Sequence, residues 1–196
     1  NSSLLLYLCY SRNAILGVLV NGDGNADKRG NTIVNNLIST DITGTVALSP
    51  ILSTDGIGIK KPANLIRNNV IGGHRRNGIH IYRGFGTQPW QNRIENNSIG
   101  INPSGMNIGN DGDGIAIFAN IYTPNQTLPL KDVRISGTQI IGNAITNNNQ
   151  NGIRLESRGD EANFRAEIAN THILNYGDYQ RYWRCCLHCD FAFHAP

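Results

Sequence analysis

Side chains that could bind or react recur in and just after one short phrase of this sequence, Gly-apolar-any-apolar. The phrase begins at Gly17, Gly56, Gly78, Gly114 and Gly152. Because successive side chains of a strand point to opposite faces, its apolar residues are predicted to point inward, and the residues between and after them outward. The outward residues form two columns: Leu19, Gly58, His80, Ala116 and Arg154, then Asn21, Lys60, Tyr82, Phe118 and Glu156.

These columns contain the side chains that a sugar-binding face needs. Tyr82 and Phe118 could stack on sugar rings, and Arg154 could hold a carboxylate bidentately. A flat sheet face also matches the length of a sugar chain. The alternative is an ordinary solvated face, on which single exposed aromatic residues need no explanation. The predicted substrate-binding residues are Tyr82, Phe118, Arg154 and Glu156.

Two kinds of catalysis would suit such a face, and the sequence leaves open whether the chain is an enzyme. A polysaccharide lyase needs a cation to neutralise the uronate carboxylate and a base to remove the adjacent proton. The candidates for these roles are Lys60, His80 and Arg76. A glycoside hydrolase needs two carboxylates roughly 5 Å or 6.5–9.5 Å apart. Three acids are available for this, although we expect them in turns that enter a strand: Asp55, Asp111 and Asp113.

One segment has the spacing of a calcium-binding loop. Asn21, Asp23, Asn25 and Asp27 place oxygen-bearing side chains at alternate positions. The acid expected at the twelfth position of an EF-hand loop is replaced by Thr32. Calcium is therefore the one candidate cofactor, and a plain loop of Asx turns is the alternative.

A second phrase, Ile-x-x-Asn-x-Ile, supplies the elements that must position these residues. It begins at Ile33, Ile66, Ile94 and Ile140, and a fifth copy, at Ile168, has Thr171 in place of Asn. The two phrases together form a unit of about 28 residues, whose strands are too short to be stable unless successive units stack. The pattern predicts an all-β fold, a single-stranded right-handed parallel β-helix of about five to six coils.

The repeated Asn is predicted to have two roles. It would turn the corner between two strands in a left-handed conformation, which Asn tolerates better than most residues. Its amide would also hydrogen-bond to the equivalent amides above and below, because a buried polar side chain needs such a partner.

The composition supports the β assignment. The chain of 196 residues contains 27 Asn, 25 Ile and 22 Gly. Asn and Gly are poor in helix interiors, which excludes a helical bundle, and so much Ile argues against disorder. The longest apolar run, Leu4 to Tyr10, is shorter than the roughly 20 residues of a membrane span. The net charge of +3 and the scattered basic residues do not indicate nucleic-acid binding.

Several segments in a fixed order resemble the secreted bacterial right-handed parallel β-helix repeat proteins, which have the pectate-lyase-like fold. Residues 37–48 resemble the family phrase N-x-I-G-T-D-x-T-G-T-x-A-L. The family's G-I-x-I and N-x-I-G-G follow as residues 56–59 and 69–73. The match covers about residues 17–155 and departs at Ser39, where the family usually has Gly. The resemblance implies the fold and a secreted or surface setting, but no particular reaction.

These observations predict three segments and two candidate functions. Residues 1–16 would be an N-terminal cap or partial coil, 17–174 the β-helix, and 175–196 an off-pattern tail that includes three of the four Cys. The first candidate is an extracellular or cell-surface protein that binds or modifies an acidic polysaccharide or surface glycan. The second is a non-catalytic structural or adhesive fragment of a larger bacterial surface protein, joined to further β-helix repeats.

Overall fold

The fold is built from short strands that succeed one another at regular intervals. The computed structural model describes residues 17–20, 30–48, 54–82, 91–118, 134–156, 163–169, 172–174 and 189–194. Within these ranges the chain forms strands and turns and no helix. The strands are β1 (Val18–Val20), β2 (Thr32–Val34), β3 (Leu37–Ile38), β4 (Ile57–Ile59), β5 (Leu65–Arg67), β6 (Val70–Ile71), β7 (Ile79–Tyr82), β8 (Arg93–Glu95), β9 (Ser98–Ile99), β10 (Ile115–Phe118), β11 (Arg134–Ile141), β12 (Ala144–Thr146), β13 (Ile153–Glu156), β14 (Asn163–Ala169), β15 (His172–Leu174) and β16 (Cys189–His194).

The strands form three sheets, and every pairing within them is parallel. The first sheet has the order β1-β4-β7-β10-β13, the second β16-β14-β11-β8-β5-β2, and the third β15-β12-β9-β6-β3. From β1 to β15 the chain visits the three sheets in strict rotation, so that each circuit adds one strand to each sheet. We refer to one circuit as a coil. This all-β arrangement is compatible with a parallel β-helix and confirms the predicted stacking of parallel strands.

The predicted Ile columns form the core. Ile57 aligns with Ile79, which aligns with Ile115 in the next strand, so equivalent residues lie above one another. Parallel sheets that are covered on both faces are expected to be rich in such β-branched residues. The fully buried Ile side chains of the three sheets are Ile57, Ile59, Ile66, Ile71, Ile79, Ile81, Ile94, Ile99, Ile115, Ile117, Ile140 and Ile145.

The two roles predicted for the repeated Asn are divided between neighbouring residues. Asn68 has a φ of 56° and Asn96 a φ of 53°, whereas Asn69 and Asn97, the residues in the repeat phrase, are not among the positive-φ residues. The prediction was therefore wrong about which residue turns the corner. It was correct about the amides: Asn69 Nδ2 donates to Asn97 Oδ1 at 2.9 Å. Asn-Asn pairs recur because the first Asn takes the left-handed conformation and the second bonds between coils.

In the described part of the chain, buried and half-buried side chains are stacked in four such ladders, one at each of four corner positions. Each ladder accepts backbone N–H groups as well as side-chain donors, so the corners leave few buried polar groups unpaired. Thr171, which replaces Asn in the fifth copy of the phrase, lies outside the described residues. The ladders consist of Asn36, Asn69, Asn97 and Asn143; of Asn31, Asn64 and Asn92; of Asp55, Asn77, Asp113 and Asn151; and of Asn110 and Asn148, with the backbone of His74 as donor.

The Gly that opens each strand of the first sheet is required by the close approach of the next coil. A Cβ on Gly78 would lie 2.8 Å from the carbonyl oxygen of Gly114 and 2.7 Å from Cγ2 of Ile99. Real Cβ atoms essentially never come so close, and Gly56 and Gly114 meet the same obstacle. The Gly in the repeated phrase is therefore explained by packing between coils.

The off-pattern tail contributes to the stack. Its strand β16 pairs in parallel with β14, and Phe193 aligns with Ile168. The repeat phrase does not predict this strand because its register position holds Phe where the other coils hold Ile. In the described part of the chain, no helix has the length and apolar character that crossing a bilayer requires.

Candidate functional site

The first sheet aligns the two predicted columns. Gly58, His80, Ala116 and Arg154 are register partners in β4, β7, β10 and β13, and Tyr82, Phe118 and Glu156 are partners one position beyond the inward Ile column. Lys60 directly follows β4 and lies beside Tyr82. The sequence therefore predicted correctly which residues lie side by side on this face.

The first column is more buried than predicted. His80 is only 6% exposed, and Ala116 is fully buried. The reason for His80 is that two aromatic rings lie against its imidazole: the Tyr82 centroid is 4.4 Å away, and that of Phe118 is 4.8 Å away in an edge-on orientation. Among the described side chains of this face, the accessible ones are Leu19 in the first column, Arg154, and Lys60, Tyr82 and Phe118 of the second column.

Each of the two rings has a cation beside it. The Lys60 ammonium lies 4.9 Å from the centroid of Tyr82, and the Arg154 guanidinium carbon lies 5.0 Å from that of Phe118. Both distances fall within the range of cation–π attraction, worth about 0.5–1 kcal/mol at exposed positions. We call Lys60, Tyr82, Phe118 and Arg154 the cation–aromatic strip. It has one residue in each of four successive coils.

The ladder of Asp55, Asn77, Asp113 and Asn151 lies next to this strip. Asp55 Oδ1 accepts the backbone N–H and side-chain amide of Asn77, and Asp113 Oδ1 accepts the same pair of donors from Asn151. Asn77 Oδ1 accepts the backbone N–H of Asp113. An Asp therefore fulfils the ladder role of Asn with one oxygen and keeps a second acceptor.

That second oxygen faces a basic side chain of the next coil in both cases. Asp55 Oδ2 accepts a hydrogen bond of 2.9 Å from Nδ1 of His80. Asp113 Oδ2 lies 3.9 Å from a guanidinium nitrogen of Arg154. Buried charges are expected to be paired in this way, because an isolated buried carboxylate would be costly. The sequence signal is an Asp-Gly-Ile followed one coil later by Asn-Gly-Ile and a basic residue, and our sequence reasoning did not use it.

The electrostatics of the face follow from these pairs. Burial raises the pKa of the Asp55 carboxyl, but the hydrogen bond and charge of His80, the amide of Asn77 and the charge of Arg76 outweigh it and leave the pKa below its ordinary value. Burial, together with the negative charge of Asp55, raises the pKa of the Tyr82 hydroxyl above 10. Asp55 is therefore ionised and Tyr82 neutral around pH 7.

The candidate catalytic residues do not converge on one reactive group. Nε2 of His80, the nitrogen left for proton transfer, is buried and has no hydrogen-bond partner in the described part of the structure. Arg76 is exposed in the turn before β7, and Lys60 lies over Tyr82. Asp55 and Asp113 are buried in the ladder, two coils or roughly 10 Å apart. Asp111 is exposed and accepts a hydrogen bond from Asn149.

A second buried histidine lies near Asp55 and His80. His74 is 2% exposed, and both its ring nitrogens lack a hydrogen-bond partner among the described residues. Burial lowers its pKa from 6.5 to about 4, although the negative charge of Asp55 and the nearby carbonyl of Ile38 act in the opposite direction. The imidazole therefore packs as a neutral group at the first sheet's corner. A Cβ on Gly56 would lie 2.8 Å from its Nε2.

The predicted calcium ligands and the Glu156 side chain lie outside the described part of the structure. The calcium candidates Asn21, Asp23, Asn25 and Asp27 lie outside the described residues. The backbone of Glu156 aligns with Phe118, but its side chain lies outside the description. Among the residues that are described, no three His, Cys, Asp or Glu side chains are grouped as metal ligands.

The fold and site together define an all-β protein with three sheets of parallel strands and a cation–aromatic strip on the first sheet. Comparison of the chain with protein-family models, with curated proteins and with solved structures found no match.

Proposed function

We propose that this chain binds an acidic polysaccharide along the cation–aromatic strip. We further propose that it is a right-handed parallel β-helix of five to six coils in an extracellular or cell-surface setting. The observation that carries the binding proposal is that Tyr82 and Phe118 lie in adjacent coils with Lys60 over one ring and Arg154 over the other.

The dimensions of the strip suit a linear sugar chain. Four successive strands at a spacing of about 4.8 Å place Lys60 and Arg154 roughly 14 Å apart. Two aromatic side chains lie between them, and both are partly exposed. A chain that runs across the strands would therefore contact the aromatic side chains in its middle and the cations at its ends.

Binding is favoured over cleavage by the position of His80. A general base must come within hydrogen-bond distance of the proton that it removes. Nε2 of His80 is buried, and the Tyr82 and Phe118 rings lie against the imidazole. Lyase activity through His80 would require these rings to move, whereas binding uses the strip as it stands.

The proposal is tested by titrating the protein with polygalacturonate oligosaccharides in an isothermal calorimeter. Substituting Lys60→Gln should weaken binding by about two- to fivefold, because a partly exposed ion pair is worth up to about 1 kcal/mol. The matched control is Arg67→Gln, which removes the same charge from an exposed position on the second sheet. Glu95, the register partner of Arg67, contacts Arg93 instead, so among the described residues the control breaks no ion pair.

Tyr82→Ala should remove most of the measurable binding. Prolonged incubation of the unsubstituted protein with polygalacturonate should give no unsaturated product. Equal losses in the Lys60 and Arg67 variants would contradict the strip as the binding site. An absence of binding to polygalacturonate and to hyaluronan would leave the second candidate, a non-catalytic structural rod. The ladders of buried side chains, which connect successive coils at four corner positions, favour that alternative.

A further inference from the structure

The charge along the cation–aromatic strip is uneven. At the Tyr82 end, Lys60 and the exposed Arg76 have no ion pair with a carboxylate among the described residues, and Asp55 is already hydrogen-bonded to His80. At the Phe118 end, the carboxylate of Asp113 lies 3.9 Å from Arg154. The Tyr82 end therefore has an excess of positive charge, and the Phe118 end does not.

Burial makes this difference important for a ligand. Asp113 is 1% exposed, so salt screens its charge much less than it would screen a surface carboxylate. Its charge offsets that of Arg154. A ligand carboxylate at this end gains little net attraction. The ring of Phe118 still offers an apolar surface, and the Arg154 guanidinium can donate hydrogen bonds to hydroxyl groups.

The two aromatic rings of the strip are about one sugar apart. Tyr82 and Phe118 are register partners in adjacent strands, which are separated by about 4.8 Å. That spacing is close to the length of one sugar unit in an extended polysaccharide. Neighbouring sugars of a chain that crosses the strands would therefore lie on Tyr82 and on Phe118 in turn.

From this uneven charge we propose that the strip, if it is the glycan-binding face proposed above, selects an acidic polysaccharide in which charged and uncharged sugars alternate. The uronate lies at the Tyr82 end, where Lys60 and Arg76 face its carboxylate. The uncharged sugar stacks on Phe118. Asp113 is the residue that excludes a second carboxylate, so it determines specificity from beneath the face.

The test compares two probes of equal length, hyaluronan and polygalacturonate oligosaccharides, titrated into the full chain at one ionic strength. Hyaluronan has a carboxylate on every second sugar and polygalacturonate on every sugar. Simple polyanion attraction therefore favours polygalacturonate. We expect hyaluronan to bind at least about tenfold more tightly, which is the opposite order.

A charge-neutral variant tests the role of Asp113. Asp113→Asn keeps the ladder acceptor for Asn151 and removes the charge opposite Arg154. It should increase the affinity for polygalacturonate by about three- to tenfold and leave that for hyaluronan nearly unchanged. The matched control is Asp41→Asn, which makes the same change of charge in a loop after the third sheet. Asn102 occupies the equivalent loop position two coils later, and its Oδ1 accepts a backbone N–H as Asp41 Oδ1 does.

The outcomes separate this inference from the proposed function. Tighter or equal binding of polygalacturonate to the unsubstituted chain would overturn the alternation and leave acidic-polysaccharide binding in place. An unchanged ratio of affinities in Asp113→Asn, with the fold intact by circular dichroism, would overturn the role of Asp113. Binding of neither probe would instead remove the proposed function on which the inference rests.

Discussion

At the scale of single residues, the first sheet shows how a buried carboxylate can serve both structure and charge. Asp55 and Asp113 replace Asn in a ladder and use their second oxygen to face a basic side chain of the next coil. Sequence reasoning placed the basic residues His80 and Arg154 correctly in one column, because alternation within a strand is a local property. It did not pair these residues with Asp55 and Asp113, because the pairing depends on contact between coils that are separated by loops of different length.

The protonation of His74 should make the fold sensitive to acid. The unfolded chain takes up a proton near pH 6.5, whereas the folded chain does so only near pH 4. Stability that is fully present above pH 6.5 should therefore be lost as the pH falls towards 4, by roughly 3 kcal/mol. Urea denaturation at several pH values between 4 and 7 measures this slope.

The variant His74→Asn provides the comparison. Asn110 and Asn148 occupy the corresponding ladder positions of the next two coils, so the substitution suits the corner. The variant should show little change in stability between pH 6.5 and 4. An unchanged slope would mean that another group accounts for the acid sensitivity. Asp55, whose pKa is lowered from 3.8, affects stability only at lower pH.

At the scale of the elements, the sequence predicts the strands far better than the corners. The Ile positions are the inward columns, and the register between equivalent Ile is the predicted one. The turning residue was assigned one position too late, because Asn68 and Asn69 are chemically identical and only the backbone angle separates them. The strand β16 was missed because its aromatic residues do not match the repeat phrase.

The division of roles between neighbouring Asn residues predicts that the same substitution costs much more stability at one position than at the other. Asn97→Gly should destabilise the fold by about 2–4 kcal/mol, because the Asn69 amide loses its acceptor and Ile66 loses a donor. Asn96→Gly should change stability by no more than about 1 kcal/mol, since Gly adopts a positive φ without strain. Chemical denaturation of the two variants decides the matter, and equal losses would refute the division of roles.

At the scale of the whole molecule, stability comes from contacts between consecutive coils, because each short strand is paired only with its counterparts above and below. In such a stack a local defect is felt mainly by the neighbouring coils. The same rule governs the proposed site, since the cation–aromatic strip takes one residue from each of four coils. The spacing of the coils therefore determines both the stability of the stack and the geometry of the face.

Gly78→Ala tests this dependence, because the added Cβ has no room between its own coil and the next. It would lie 2.8 Å from the carbonyl oxygen of Gly114 and 3.0 Å from Nδ2 of Asn110, so β7 and β10 must move apart. We expect a loss of stability of about 2–4 kcal/mol, as for other overpacked core positions. In hydrogen exchange the amides of β7 and β10 should lose more protection than those of β2 or β5.

The control is Ser98→Ala, at a half-buried position of the third sheet, which should stay within about 0.5 kcal/mol of the unsubstituted chain in stability. A uniform loss of protection in all strands would instead show that the stack opens as a single cooperative unit. In that case the strip would fail together with the fold and could not be weakened coil by coil.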